Sequence, residues 1–194
     1  MTSFPKAFSV LALLLATVGG AAAADPKVTR QSERIEHIRI VSTKPFDETA
    51  AALERSLPDI DPGVRRALAE GDEARAKQLE NGHTLFIFLK RNFGELLPGE
   101  PLQRERLQVV RRPAKAHQYE IGNPVTATRM TRHQVAAALY APLRVVLYEN
   151  PAGGSTFEYD RPSTLFGRFG DRRVTSVGRE LDQELANALE QAAR

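Results

Sequence analysis

The spacing of apolar residues in the first half of the chain predicts strands and helices in turn. Residues 35–43 (IEHIRIVST) are rich in Ile, Val and Thr and predict a strand. An amphipathic helix follows, because four apolar residues recur at helical spacing: Phe46, Ala50, Leu53 and Leu57. Pro58 ends this helix, since proline disfavours helical geometry in the residue before it.

Residues 59–82 predict two short, charged surface helices. Asp61-Pro62 begins the first helix and Asp72 caps the second. Asn81-Gly82 ends the pair with residues that tolerate left-handed geometry. The apolar run 84–89 (TLFIFL) then predicts a buried, central strand.

The second half of the chain predicts four more strands and two helices. Residues 95–101 predict a turn, and the strands are predicted at 106–112, 117–122, 143–149 and 155–160, the last two joined as a hairpin by NPAGG. Thr131 and Gln134 match a capping box and predict a helix that Pro142 ends. Residues 161–173 predict an irregular connection. An apolar stripe predicts a long C-terminal helix: Val177, Leu181, Leu185, Leu189 and Ala192.

Strands and helices do not alternate regularly along the chain. A parallel sheet would require such alternation, so the order favours an antiparallel or mixed sheet covered by helices on one face. The expected fold class is a single α+β domain. The length of the chain is sufficient for one domain with its own hydrophobic core.

The first residues predict a secretory signal peptide. Lys6 precedes an apolar run at residues 7–18, and Ala22 and Ala24 satisfy the small-x-small rule for cleavage after Ala24. The run is shorter than the roughly 20 residues that span a membrane. We therefore expect a signal peptide at 1–24, a polar linker at 25–34 and a domain at 35–194. The expected location is the bacterial periplasm or the medium, with no membrane span after cleavage.

Composition excludes several kinds of chemistry. The sequence contains no cysteine, which excludes disulfides, thiolate nucleophiles, Cys-ligated metal and thioether-linked haem. The four histidines show no metal-ligand spacing, and no phosphate-binding or serine-nucleophile motif occurs. No cofactor, metal or nucleic-acid partner is expected. The formal net charge of +3 arises from arginines interspersed with acidic residues.

The stretch EIGNPVTATRM (120–130) is the candidate site for a ligand. Gly122 and Pro124 predict a corner, after which polar residues gather near a predicted helix start: Asn123, Thr126, Thr128, Arg129, Arg132 and His133. Free amides at a helix start and the forked donors of arginine both suit a small acidic ligand. The alternative is a structural corner whose amides are already satisfied by Thr131. Tyr119 and Tyr148 are expected to flank the site or to belong to the core.

Three stretches together resemble the family called domain of unknown function 302. They are PFDETAAALERSL (45–57), YEIGNP (119–124) and LYAPLRVVLYENPAGGSTFEYDRPSTLFGRF (139–169). The resemblance covers about 43–57 and 117–193, and residues 58–116 match poorly. It implies a small α+β domain similar to the TATA-binding-protein fold, which tends to form homodimers. Many members of the family carry an acidic residue and a histidine where this chain has Asn92 and Phe93.

Two functions remain open from the sequence. The first is an exported, non-catalytic module that binds a small ligand or takes part in assembly. The lack of a catalytic motif favours this hypothesis. The second is a small enzyme for an anionic substrate. In that enzyme His133 acts as acid/base, and Arg129 and Arg132 clamp the anion.

Overall fold

The computed structural model describes residues 25–93 and 115–194, and Glu33–Arg194 form one compact unit. This unit is an α+β domain built on a five-stranded antiparallel sheet. The strands are β1 (His37–Ser42), β2 (Phe86–Asn92), β3 (Ala116–Gly122), β4 (Leu143–Glu149) and β5 (Ser155–Asp160). Their order across the sheet is β1-β5-β4-β3-β2. The α+β class predicted from the sequence is confirmed.

Six α-helices and one 3-10 helix join these strands within the described residues. The helices are α1 (Phe46–Ser56), α2 (Pro62–Ala69), α3 (Glu73–Leu79), α4 (Pro124–Thr131), α5 (Pro162–Gly167) and α6 (Arg172–Ala193), and the 3-10 helix is Val135–Tyr140. The predicted caps of α2 and α3 are confirmed: Asp61 accepts a hydrogen bond from the Gly63 amide and Asp72 from the Arg75 amide.

The hydrophobic core lies between one face of the sheet and helices α1 and α6. Alternate residues of β4 point into it, since Leu143, Val145 and Leu147 are buried while Arg144 between them is exposed. The predicted apolar stripe of α6 is confirmed, and all five of its residues are buried. A smaller apolar cluster, centred on Val64 and Ala76, joins α2 to α3.

Asn150 fixes the hairpin between β4 and β5. Its side-chain amide donates to the carbonyls of Ser42 and Ser155, each at 3.0 Å. Its side-chain oxygen accepts from the amides of Ala152 at 3.1 Å and Gly154 at 3.0 Å. One buried side chain therefore shapes the turn and ties it to the end of β1.

Two predictions about this architecture are wrong. β2 lies at the edge of the sheet that the described residues form, not at its centre. Its apolar run is explained by local burial, because Leu85 and Ile87 join the core and the Ile87 amide donates to Pro58 O at 3.0 Å. The connection predicted as irregular contains α5, whose Leu165 and Phe166 are buried in the core.

Several predicted segments lie outside the described residues. They are the signal peptide at 1–24, the turn at 95–101 and the strand at 106–112. In the part of the chain that the structure describes, no helix combines the length and the hydropathy needed to cross a membrane.

Candidate functional site

The corner between β3 and α4 forms one wall of a pocket of about 270 Å³, here called the corner pocket. Its floor includes Ile121 and Leu143 at the ends of two strands, together with Phe166 of α5 and Leu181 of α6. Phe88 of β2 and Tyr140 of the 3-10 helix also line it. Most of this surface is apolar, and it brings together residues from distant parts of the chain.

Asn123 creates the corner by capping α4. Its side-chain oxygen accepts a hydrogen bond from the Thr126 amide at 3.1 Å, and Pro124 occupies the first helical position. The predicted capping box of Thr131 and Gln134 is therefore wrong. Thr131 ends α4 and donates its hydroxyl to Ala127 O at 3.1 Å, and Gln134 precedes a 3-10 helix without a side-chain cap.

Gly122 is not required for its backbone conformation, contrary to the prediction. It ends β3 and is absent from the described glycines with positive φ, which are Gly71, Gly82, Gly153 and Gly170. A Cβ atom at position 122 would meet Pro142 at 3.6 Å and Phe88 at 3.7 Å, which are ordinary contacts. The glycine therefore widens the corner pocket between these two side chains.

The structure divides the six predicted site residues between two surfaces. Asn123, Thr126 and Thr128 line the corner pocket. Arg129, Arg132 and His133 line a shallow groove of about 480 Å³ on another face of α4. Successive helical residues point about 100° apart, so neighbours in the sequence need not share one site.

This second surface, the arginine groove, gathers charge from two helices. Arg172 and Arg173, at the start of α6, join the three residues of α4 and its C-cap. Arg129 makes a bidentate pair with Glu180, at 2.7 and 2.9 Å, and this hydrogen bonding raises the pKa of Arg129. Arg132 pairs with Glu73 at 2.9 Å. Among the described residues, no carboxylate pairs with Arg172.

A third cluster, here called the buried network after its fully buried Tyr119, joins α1 to β2 and β3, and its Glu54 and Lys90 side chains reach the surface. Tyr119 is fully buried and donates its hydroxyl to Glu54 at 2.8 Å, while Lys90 donates to the same oxygen at 2.6 Å. The His117 ring nitrogen lies 3.1 Å from the Tyr119 hydroxyl. The sequence did not predict this network, because only the fold brings Glu54 next to β3.

Burial and hydrogen bonds together set the pKa values of the buried network. It lowers the pKa of His117 to about 4, and the nearby Lys90 ammonium acts in the same direction. Burial and the hydrogen bond to Glu54 raise the pKa of Tyr119. Burial opposes ionisation of Glu54, but the hydrogen bonds from Lys90 and Tyr119 outweigh it and lower the pKa of Glu54.

The two tyrosines expected near the site do not line it. Tyr119 belongs to the buried network, and Tyr148 donates its hydroxyl to Glu158 at 2.7 Å on the opposite face of the sheet. Asn92 pairs with His117 in the register of β2 and β3. The chain thus places a histidine on β3 opposite Asn92, the position at which the resemblance implies an acidic residue.

His37 also acquires partners that its sequence neighbours do not show. One ring nitrogen lies 2.9 Å from Asp160 and the other 2.9 Å from Glu158, because β1 pairs with β5. In residues 25–93 and 115–194, no group of three or more His, Asp or Glu side chains is arranged to hold a metal ion.

Comparison with known proteins supports the resemblance and the fold. The model of the family "Domain of unknown function DUF302" matches residues 102–192. A crystal structure of an uncharacterized conserved DUF302 protein from Bacillus stearothermophilus is similar, with a TM-score of 0.54 and 17% sequence identity. The match covers 81% of this chain and 98% of that chain. No curated protein matches the chain.

Proposed function

We propose that the protein is an exported domain that binds a small molecule in the corner pocket and performs no chemistry on it. The observation that carries this proposal is the apolar pocket itself. Residues of eight elements meet around it, and most of them are apolar, whereas the arginine groove is lined mainly by charged side chains. Its volume of about 270 Å³ is near the lower end of small-molecule sites, which begin at about 300 Å³.

The residues of the pocket favour binding over catalysis. The described lining includes no Asp, Glu, His, Lys or Arg. Tyr140 is the one titratable side chain of this described lining, and nucleophilic catalysis needs an activating base, which the described lining lacks. A pocket with this lining offers shape, apolar contact and a few hydrogen bonds.

Export is proposed from the sequence alone. The motivation is the apolar run at 7–18 followed by small residues up to Ala24. The N-terminal sequence of the protein purified from its own cells tests this proposal. A mature chain that begins at Asp25 supports it, and a chain that retains its first residues contradicts it.

Pairing of two copies is proposed from the family resemblance. Sedimentation equilibrium of the purified protein tests it directly. A mass of two chains at micromolar concentration supports a homodimer, and a single-chain mass at the same concentration contradicts it.

Titration with octanol, followed by the amide NMR spectrum, tests the binding site. Octanol is neutral, mainly apolar and small enough for the pocket. We expect saturable shifts at Ala127, Thr131, Phe166 and Leu181. The variant Ala127→Leu fills the pocket from α4 with a good helix former, and it should weaken binding about tenfold or more.

Ala74→Leu is the matched control for this experiment. Ala74 is an exposed residue of α3 outside the corner pocket, so the same substitution there should leave binding unchanged. Equal affinity of octanol for the wild type and Ala127→Leu would place binding elsewhere and refute the proposal.

The arginine groove supports a second candidate function, an enzyme for an anionic substrate. Its motivation is that Arg129, Arg132 and His133 share one groove with two arginines of α6. The pairs with Glu180 and Glu73 are exposed and therefore weak, so an anion could displace either carboxylate. Turnover that is lost in both Arg129→Ala and His133→Ala would replace the binding function with this one.

A further inference from the structure

The corner pocket contains a hydrogen-bond donor that the fold leaves unused. Asn123 is only 5% exposed and lines the pocket. Its side-chain oxygen accepts from the Thr126 amide, which fixes the orientation of the amide group. No described residue accepts a hydrogen bond from its Nδ2. In the part of the chain that the structure describes, the fully enclosed side-chain atoms without a hydrogen-bond partner are those of Glu80, so Nδ2 of Asn123 keeps access to the pocket and can donate to a ligand oxygen there.

The hydroxyl groups of the pocket differ in what they offer to a ligand. Thr128 and Thr131 donate their protons to the carbonyls of Val125 at 2.7 Å and Ala127 at 3.1 Å, so towards a ligand their oxygens can only accept. The Tyr140 oxygen accepts a hydrogen bond from Arg168, which leaves the proton of Tyr140 available for donation. Asn123 and Tyr140 therefore both offer a proton to an acceptor.

Two guanidinium groups lie on aromatic rings that line the pocket. The Arg65 guanidinium carbon is 5.1 Å from the centre of the Phe88 ring, and that of Arg168 is 5.6 Å from the centre of the Tyr140 ring. Neither arginine pairs with a carboxylate of the described residues. By contrast, Arg161 holds two carboxylates, those of Glu36 and Asp182.

Positive charge lies next to the pocket, on its aromatic rings. Two cations without carboxylate partners flank it, and no acidic residue appears in its described lining. Positive groups around an apolar site favour a ligand that combines an apolar body with an anionic end. Arginine also matches the planar geometry of a carboxylate.

From these observations we infer that the ligand of the corner pocket is a small amphipathic carboxylate. Its apolar body packs against Phe88, Phe166 and Leu181, and its carboxylate accepts hydrogen bonds from Asn123 and Tyr140 under the charge of Arg168. This inference rests on the proposed binding function. It adds the chemical class of the ligand and the residues that select it.

Octanoate and octanol form the matched pair of probes. Both have eight carbons in a straight chain, but octanoate ends in a charged carboxylate and octanol in a neutral hydroxyl. Dissociation constants of both are measured by calorimetry at low salt and neutral pH. Octanoate should bind the wild type at least about tenfold more tightly than octanol, as expected for hydrogen bonds to a charged group.

Two variants locate the carboxylate. Asn123→Ser keeps a good helix cap but removes the amide donor, and Arg168→Gln removes the charge behind Tyr140. Each should raise the dissociation constant of octanoate about fivefold or more and leave that of octanol nearly unchanged. Arg172→Gln is the control, because it removes an exposed arginine from the arginine groove and not from the pocket. Its affinity for octanoate should match the wild type.

Each failure has a distinct meaning. Equal binding of the two probes, with both weakened by Ala127→Leu, overturns the carboxylate inference and leaves the binding function standing. Octanoate binding that falls in Arg172→Gln but not in Arg168→Gln places the anion in the arginine groove and also overturns it. If neither probe binds the wild type, both the inference and the proposed function are wrong.

Discussion

Acid should lower the free energy of unfolding of this protein through His117. Replacing His117 with glutamine should remove the part of this decrease that His117 causes. Burial and Lys90 lower the pKa of His117 from 6.5 to about 4, although the carboxylates of Glu54 and Asp47 oppose them. The folded protein therefore holds the ring neutral at a pH where the unfolded chain protonates it. The stabilisation is complete above about pH 6.5 and is lost as the pH falls toward 4.

The size of the effect follows from the two pKa values. Between pH 7 and pH 4.5, the difference between the unfolded-state and folded-state pKa of His117 corresponds to a decrease of about 2.5 kcal/mol in the free energy of unfolding. Because the ring is partly exposed, solvent screening reduces this figure, and we expect about 1 kcal/mol. Stability is measured by urea denaturation of the wild type and of His117→Gln at both pH values, and the two pH-dependent losses are subtracted.

His37→Gln is the control, because its effect should have the opposite sign. Hydrogen bonds with Asp160 and Glu158 raise the pKa of His37, so its contribution is present at low pH and is lost as the pH rises through the folded-state value. His37 is exposed, and the effect should be a few tenths of a kcal/mol. If His117→Gln loses as much stability in acid as the wild type does, the neutral-histidine argument is refuted.

Three further predictions concern the fold around the site. Asn150→Ala should cost about 2–4 kcal/mol in urea denaturation, because it removes four hydrogen bonds at a buried position, and a loss below 1 kcal/mol would contradict that role. Gly154→Ala should lower the melting temperature strongly, since its Cβ atom would lie 2.1 Å from Ser42 O, and an unchanged melting temperature would show that the backbone can move aside. Asn123→Ala should lower the free energy of unfolding by about 1 kcal/mol, because it removes the cap of α4, and Thr131→Ala should lower it by less than about 0.5 kcal/mol. A larger loss in Thr131→Ala than in Asn123→Ala would show that Thr131 caps a helix after all.

The sequence was most informative where structure depends on local residues. The caps at Asp61 and Asp72, the stripe of α6 and the β4–β5 hairpin all follow from neighbours within one or two turns of the chain. The start of α4 was less clear, because Asn123-Pro124 and Thr131-x-x-Gln134 are both good start signals. Burial of Met130 fits the first alternative, in which α4 packs on α6.

The features that could not be predicted depend on contacts between distant residues. The apolar run of β2 suggested a central strand. An edge strand that is buried by the segment around Pro58 has the same apolar pattern, so the pattern could not distinguish the two. The network of Glu54 with Tyr119, and the pairing of His37 with Glu158, need the register of the whole sheet. Local patterns contain no information about such pairings.

The same limit explains the division of the predicted site. The capping box predicted a helix start at Thr131, so Thr128 and Arg129 were both placed near that start and grouped in one site. As part of a helix they point to different surfaces, one to an apolar pocket and the other to Glu180. The grouping of the candidate residues required the helix to be known, since the sequence alone placed all six at one site.

The corner pocket is proposed to hold a small amphipathic carboxylate. The most direct test is mass spectrometry of the small molecules released by denaturing protein that was purified from its own cells under native conditions. We expect one apolar carboxylate, at up to one molecule per chain, which is retained by Ala74→Leu and lost from Ala127→Leu. A retained molecule that is uncharged, or that Ala127→Leu retains equally well, would contradict it, as would the absence of any retained molecule from protein that also fails to bind octanoate.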